Sequence, residues 1–425
     1  MKRRPIILIV MLGLCAPLLF SGSQKPHLVA IKGGTIIPVK GENIEGGTIL
    51  IKDRWIEAVG KDIEIPPEAK IIPAEGLFVF PGMIDGYSRL GLQEISSLRA
   101  TIDYRETGDI NPQLRCVEAL RPDSMHIPIA RANGITASLV APSGGLISGQ
   151  SGLIRLMGLT PEDMVIRSPV AMHINLPTLP RPSRFRRETQ PREEASKKII
   201  QLKELFNKAR FYQKRKEYAE KNVLLPVPEF DEKLEFLLPV VNGELPVMIS
   251  VHGEKDIRDA IKFVQEEKLK AIFYGVSEGW KVAEEIGKSG IPVVFGSLYA
   301  MPSKWEDGYD ALYRNPAELS KAGVTIAFSS SSASLAKDLP YHAANAVAFG
   351  LDRREALKAV TLYPAQIFGV GDIMGSLEEG KLANIVVADG DILELRTHIK
   401  HVFIEGKEAD LKTRYEKLLE KYKKD

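Results

Sequence analysis

The chain has 425 residues, of which 44% are hydrophobic and 26% are charged. This composition suits one large globular core or two unequal ones, and it excludes a disordered chain or a fibrous repeat. The formal net charge of +2 comes from 57 basic and 55 acidic residues, so no excess of either sign points to nucleic acid as a partner.

The N-terminus predicts a secretory signal peptide over residues 1–23. Residues 2–4 are basic, residues 6–20 form an uncharged apolar run, and residues 21–23 are small. The run is shorter than the roughly 20 apolar residues that an uncleaved anchor needs. We therefore expect an exported protein, periplasmic or extracellular, without a membrane segment after cleavage. The mature chain keeps only Cys116, so no intrachain disulfide can form.

Short β-rich runs near both ends predict a small β-domain. In its first part, residues 24–80, the clearest runs are Thr48 to Lys52 and Trp55 to Val59. In its second part, residues 371–411, they are Ala383 to Val387 and Val402 to Ile404. We predict that these distant segments complete one β-sandwich, followed by a C-terminal helical tail over residues 412–425.

Between residues 81 and 370, apolar runs alternate with helical patterns. Val247 to Val251 precedes the helical pattern Asp256 to Gln265, and Ala271 to Tyr274 precedes Lys281 to Gly287. This order is typical of parallel strands buried on both faces, and the length suits an α/β fold of the (β/α)8 TIM-like barrel type. An open doubly wound sheet would give the same local pattern.

A charged insertion at about residues 183–222 interrupts this alternation. It is rich in Arg, Lys and Glu, and Ile199, Ile200, Leu202, Leu205 and Phe206 recur at roughly helical spacing. The pattern predicts an amphipathic helix. A barrel helix with a solvated charged face is the favoured interpretation, and a dedicated partner-binding arm is the alternative.

The segment Phe80-Pro81-Gly82-Met83-Ile84-Asp85 resembles the signature at the first barrel strand of amidohydrolases, particularly imidazolonepropionase-like ones. Residues 361–365, 375–381 and 383–387 resemble the family's closing barrel helix and its return to the β-domain. The resemblance covers nearly all of the mature chain. It implies a site at the C-terminal ends of the barrel strands, where zinc or another divalent metal activates water to hydrolyse non-peptide carbon–nitrogen bonds.

Most positions at which this resemblance places functional side chains carry other residues here. Tyr87 and Arg89 stand at the two His positions of the first strand, Ser250 and Trp280 at further His positions, and Ser331 at the position of a catalytic Asp. A neutral phenol is a poor zinc ligand and guanidinium has no lone pair to donate. A normal metal centre and a cofactor are therefore not expected.

Two of these positions leave alternatives open. His252 survives at a strand end and is the best single candidate to face the pocket or bind metal, but we expect it to be hydrogen-bonded within a polar core. Arg89 either compensates a leftover carboxylate such as Asp85, which is the favoured interpretation, or holds an anionic ligand by bidentate bonds.

The sequence thus predicts an amidohydrolase-type pseudoenzyme with a degenerate metal site. We expect a non-catalytic subunit that binds a small molecule, or that pairs with a second copy or an active relative. The alternative is an active hydrolase of carbon–nitrogen bonds in cyclic amides or related compounds, using a remade site around His252. A further alternative, that the charged insertion is the functional part, ranks last.

Overall fold

The computed structural model describes residues 26–177, 190–222, 224, 226–302 and 304–423. The predicted signal peptide and residues 183–189 of the predicted insertion lie outside these ranges. Among the described helices, none has the length and apolar character needed to cross a membrane.

The secondary structure alternates between strands and helices after an all-β start. The described strands are β1 (Leu28–Ile36), β2 (Ile44–Lys52), β3 (Trp55–Gly60), β4 (Lys70–Pro73), β5 (Phe78–Pro81), β6 (Met83–Ser88), β7 (Ile135–Val140), β8 (Ile147–Gln150), β9 (Gly152–Arg155), β10 (Val165–Arg167), β11 (Met172–Asn175), β12 (Val247–Val251), β13 (Ala271–Gly275), β14 (Val293–Phe295), β15 (Ile326–Ala327), β16 (Ile385–Ala388), β17 (Ile399–Ile404) and β18 (Lys407–Glu408). The described α-helices are α1 (His126–Ala132), α2 (Pro161–Met164), α3 (Gln190–Lys221), α4 (Glu232–Val241), α5 (Glu254–Glu267), α6 (Ala283–Ser289), α7 (Ala311–Lys321), α8 (Leu339–Ala348), α9 (Arg353–Ala359), α10 (Leu362–Ile367) and α11 (Arg414–Tyr422).

The two ends of the chain form one β-domain, as predicted. Its sheet runs in the order β18-β17-β16-β5-β1-β2-β3, and β4 pairs with β1. Strand β5 is the junction, because it lies parallel to β1 and antiparallel to β16. Ile31, Ile49 and Phe403 are buried in the core of this domain and join segments more than 350 residues apart. Burial of these side chains holds the termini together without a disulfide.

The middle of the chain forms the predicted TIM-type barrel. Strands β11 to β15 pair in sequence order and in parallel, and β6 pairs in parallel with β7. The consecutive strands β8 and β9 connect the two sheets, since β9 runs antiparallel to β7 and β8 runs antiparallel to β11. The alternation of strands with α5, α6 and α7 confirms the βαβα order that the apolar runs indicated.

The ring closes where β6 meets the end of β15. The Gly86 N–H donates to the Phe328 carbonyl at 3.0 Å, and the Ser331 N–H donates to the Tyr87 carbonyl at 2.9 Å. A Cβ at Gly86 would lie 2.8 Å from that Phe328 oxygen, so the close approach requires glycine. Closure therefore brings residues that follow β15 next to the first strand.

Helix α3 confirms the helix predicted in the charged insertion. One of the apolar residues in the predicted pattern, however, does not face the core. Leu202 and Phe206 are fully buried, whereas Ile200 is 56% exposed. Ile199 and Ile200 are consecutive, and successive helical residues are 100° apart, so both cannot face the core at once. In the structure Ile199 is partly buried and Ile200 is exposed to solvent.

Within the predicted C-terminal tail, α11 forms one short helix. Its first turn is closed by a capping box, in which the Thr413 and Glu416 side chains bond reciprocally to backbone N–H groups.

Candidate functional site

The first barrel strand places a fully buried carboxylate at the barrel mouth. Asp85 accepts hydrogen bonds from the Ser330 N–H at 2.9 Å and from the Tyr87 N–H at 3.2 Å, and the Ser330 hydroxyl donates to its second oxygen. Burial raises the pKa of Asp85 to about 7, although these hydrogen bonds oppose the shift. Both oxygens of this carboxyl are thus engaged by Ser330.

Two tyrosines stack beside this carboxyl. The rings of Tyr87 on β6 and Tyr274 on β13 lie 4.0 Å apart and 16° from parallel. The Tyr87 hydroxyl donates to the Pro142 carbonyl at 3.4 Å, and the Tyr274 hydroxyl donates to the Ser331 hydroxyl at 2.8 Å. Burial raises the pKa of both phenols, so both stay neutral. The two rings fill the space between opposite strands of the barrel.

His173 lies next to this stack on β11. Its ring centroid is 5.8 Å from that of Tyr87, and its side chain is buried. Burial lowers the pKa of His173 to about 3, so the imidazole is neutral in ordinary buffers. Its Nε2 has no hydrogen-bond partner among the residues that the structure describes.

Ser250 and His252, on and after β12, face different surroundings. Ser250 is in register with Asn175 on one side and Tyr274 on the other, and it lines a cavity of about 280 Å³ together with Leu176. His252 follows the strand and is exposed. The prediction that His252 is hydrogen-bonded within a polar core is therefore wrong.

The imidazole of His252 lies against the backbone of Gly275, where a Cβ would come within 2.5 Å of its Cε1. The next acidic residue, Glu254, is bound to Arg258 at the start of α5. Tyr87 has its aromatic contacts with His173 and Tyr274 instead. Tyr87 and Glu254 thus have partners other than the His252 imidazole, and the remade site around His252 stays a prediction.

Arg89 follows β6 and is partly buried. Its guanidinium carbon lies over the Tyr104 ring, 4.0 Å from the centroid. Its Nε is buried, and within the described ranges no hydrogen bond reaches it. The favoured interpretation, in which Arg89 compensates Asp85, is not what the structure shows, because the described partners of Asp85 are Ser330 and Tyr87.

Trp280 and Ser331 have different surroundings in the structure. Trp280 sits on a short 3-10 helix, Gly279–Val282, and lines a surface cavity of about 520 Å³ with Lys281 and Lys321. Ser331 lies beside the tyrosine stack and has a left-handed backbone, φ 57°. Of the six positions taken from the resemblance, the structure groups Tyr87 with Ser331 and leaves Trp280 outside.

The donor set at the barrel mouth does not fit a divalent cation. The Asp85 carboxyl is bound to Ser330, Tyr87 offers only a neutral phenol, and Arg89 offers only a guanidinium, which has no lone pair to donate. Over the described part of the chain, no three His, Cys, Asp or Glu side chains are grouped in a way that could hold a metal ion.

Comparisons with known proteins agree with the fold. A model of the amidohydrolase family matches residues 244–409. The curated protein "Amidohydrolase tasK" of Hapsidospora irregularis is 23% identical, and the match covers 85% of this chain but only 39% of that protein. The chain therefore spans about two fifths of the length of this relative.

Among solved structures, an amidohydrolase from Thermotoga maritima matches with a TM-score of 0.79 at 26% identity, over 90% of this chain and 99% of that one. Molinate hydrolase matches with a TM-score of 0.53 at 19% identity, over 91% and 95% of the two chains. The likeness to molinate hydrolase concerns the fold alone.

Proposed function

This chain belongs to the amidohydrolase superfamily, and from that premise we propose that it is a non-catalytic member whose barrel mouth binds a small molecule. Membership by itself supports a hydrolase-type function. The finer proposal is that metal-dependent hydrolysis has been replaced by binding, and that the protein acts as a binding subunit or as the partner of an active relative.

One observation carries the proposal. The side chains at and beside the replaced ligand positions are engaged with one another: Ser330 donates hydrogen bonds to both oxygens of Asp85, and Tyr87, at a former His position, stacks on Tyr274. A metal centre needs its ligand atoms free to converge on one point, with an open position for water. Here the Asp85 oxygens are bound to Ser330 and the Tyr87 hydroxyl to the Pro142 carbonyl, which argues against a metal-activated role.

Arg89 supports an anionic ligand, in particular a carboxylate. Guanidinium forms strong bidentate bonds to carboxylates, and its planar edge stays available when one face rests on an aromatic ring. The Arg89 guanidinium lies over the Tyr104 ring, and its buried Nε finds no partner within the described ranges. The neighbouring Arg105 guanidinium lies farther from the same ring, at 5.4 Å, and is exposed.

A ligand screen tests this proposal. The melting temperature of the purified chain is measured with small carboxylic acids and with their neutral amides. We expect some acids, but not their amides, to raise it, and we expect Arg89→Gln to abolish the effect. Arg105→Gln is the matched control, since it removes the more distant cation over the same ring. A response that is equal for acids and amides, or that survives Arg89→Gln, would overturn the role of Arg89.

An activity assay separates this proposal from its alternative, an active hydrolase remade around His252. The purified chain is incubated with a panel of cyclic amides, and product amines and acids are followed by mass spectrometry. No turnover above buffer supports the binding role. Turnover that His252→Asn abolishes supports the alternative.

Export belongs to the same proposal. The apolar run at residues 6–20 after a basic start supports cleavage near residue 23 and a periplasmic or extracellular location. Export is tested by the intact mass of the protein recovered from the periplasm and the medium of a bacterial host. A mass that lacks residues 1–23 supports export. Full-length protein that is confined to the cytoplasm contradicts it.

A further inference from the structure

The outer side of helix α3 carries three large apolar residues. Ile200, Phe211 and Tyr218 are 56%, 64% and 66% exposed. They are separated by 11 and 7 residues, which is about three turns and two turns of helix. They therefore lie on one line, and such an alignment differs from the scattered exposed apolar residues that any surface has.

Helix α3 is a firm support for this line. Its opposite side buries Leu202, Phe206 and Ala209, and the Phe206 ring packs 6.2 Å from that of Phe263. Ion pairs tie both flanks to the body, among them Arg210 to Glu267 at 2.8 Å. The exposed side chains are thus displayed by an anchored helix.

Polar residues complete the line at coiled-coil spacing. We call the following set the outer stripe: Ile200, Glu204, Asn207, Phe211, Lys214 and Tyr218, all of them exposed. Its members are spaced alternately by four and three residues, as the core positions of a coiled coil are. The stripe is about 27 Å long, at 1.5 Å per residue.

The outer stripe can pair with the outer stripe of a second copy that runs in the opposite direction. In an antiparallel pair of α3 helices with the two-fold axis at position 209, every stripe position meets another. Ile200 faces Tyr218 of the second copy, Asn207 faces Phe211, and the acidic Glu204 faces the basic Lys214. A parallel pair would instead place Glu204 against itself, which is repulsive.

We propose that a second copy of this chain occupies the outer stripe and forms a two-fold symmetric dimer through antiparallel α3 helices. A two-fold interface requires such a self-complementary patch. Half of the stripe is polar, and polar core positions fix register at a cost in stability. A single helix pair also buries less than the roughly 800 Å² per partner of a standard interface. The dimer therefore dissociates in the micromolar range and does not depend on what the barrel mouth binds.

A charge-reversal experiment tests the pairing. Sedimentation equilibrium is measured for the purified chain between about 1 µM and about 200 µM, where a dimer of micromolar affinity dissociates. We expect Glu204→Lys and Lys214→Glu each to weaken association by about tenfold, because each places like charges together. We expect the double variant to recover most of the lost affinity, since it restores an opposite-charge pair.

Phe211→Glu is the stronger disruption and should leave the chain monomeric throughout that range. Leu159→Glu is the matched control, because Leu159 is 91% exposed and lies outside α3. Circular dichroism and the melting temperature confirm that each variant folds. A wild-type chain that stays monomeric, or a dimer that Phe211→Glu leaves intact, would overturn the proposal. Monomeric protein that floats with phosphatidylethanolamine–phosphatidylglycerol vesicles would also overturn it, in favour of a lipid surface.

Discussion

Ser330 and Asp85 are 245 residues apart in sequence and share two hydrogen bonds inside the barrel, one from the Ser330 N–H and one from its hydroxyl. The carboxylate that the resemblance would place near a metal is held by a neutral side chain. Among the residues that the structure describes, the hydrogen-bond partners of Asp85 carry no charge, and this has a measurable consequence for the dependence of stability on pH.

The contribution of Asp85 to the free energy of unfolding should decrease as the pH rises. Folding raises the pKa of Asp85 from 3.8 to about 7, so the folded chain binds more protons than the unfolded chain between those values. Its free energy of unfolding therefore loses on the order of 4 kcal/mol across that window and is level above it.

Asp85→Asn isolates this term, because the amide keeps the shape and can still bond to Ser330. Urea denaturation gives the unfolding free energy of the variant and of the wild type. The value for the variant minus that for the wild type should increase from pH 4 to pH 7. A difference that does not change with pH would show that Asp85 has no raised pKa.

His173 should contribute a term of opposite sign. Folding lowers its pKa from 6.5 to about 3, so the unfolded chain binds the extra proton within that window. Stability from this residue is lost as the pH falls below about 6. We define the difference as the unfolding free energy of His173→Phe minus that of the wild type. We expect this difference to be more favourable to the variant at pH 4.5 than at pH 7.5.

The same urea denaturation series measures the His173 term, taken as variant minus wild type. His342, whose pKa burial lowers to about 4, keeps its own contribution in both proteins and cancels in that difference. Equal differences at both pH values would contradict a buried neutral imidazole at position 173.

Substitutions of Tyr274 should lower the stability of the chain more when they remove more of the side chain. Tyr274→Phe keeps the ring on Tyr87 and deletes the bond to the Ser331 hydroxyl, which should cost about 1 kcal/mol. Tyr274→Ala also leaves a cavity and should cost about 3–5 kcal/mol. Thermal unfolding measures both. Equal, small losses in the two variants would mean that the stack does not support the barrel mouth.

Sequence reasoning predicted the architecture well because the architecture depends on local pattern. The run Val247 to Val251 is apolar except for Ser250, and a parallel strand buried on both faces favours such a nearly continuous apolar run. The two ends of the β-domain were predictable from short strands alone. The antiparallel course of β8 and β9 was not, because the direction of a strand depends on pairing partners that are distant in sequence.

The site was only partly predictable, since side-chain direction at a strand end is not set by spacing. Tyr274 was missed because an aromatic residue on a buried strand is ordinarily core, and its role emerges only when β6 and β13 face each other across the barrel. Ser330 was missed because a run of four serines gives no signal for which hydroxyl meets Asp85. His252 was misjudged because the residue after a strand can turn outward.

The metal content of the purified chain shows whether the barrel mouth has lost its metal centre. Protein prepared without chelator and without an affinity-tag metal is analysed by plasma mass spectrometry, and the total zinc, iron, manganese, cobalt and nickel is compared with the protein concentration. A barrel mouth without a metal centre should give metal far below one ion per chain, and this content should not change when zinc is added and then removed by gel filtration. Near-stoichiometric metal that survives gel filtration and is reduced by Asp85→Asn would contradict it.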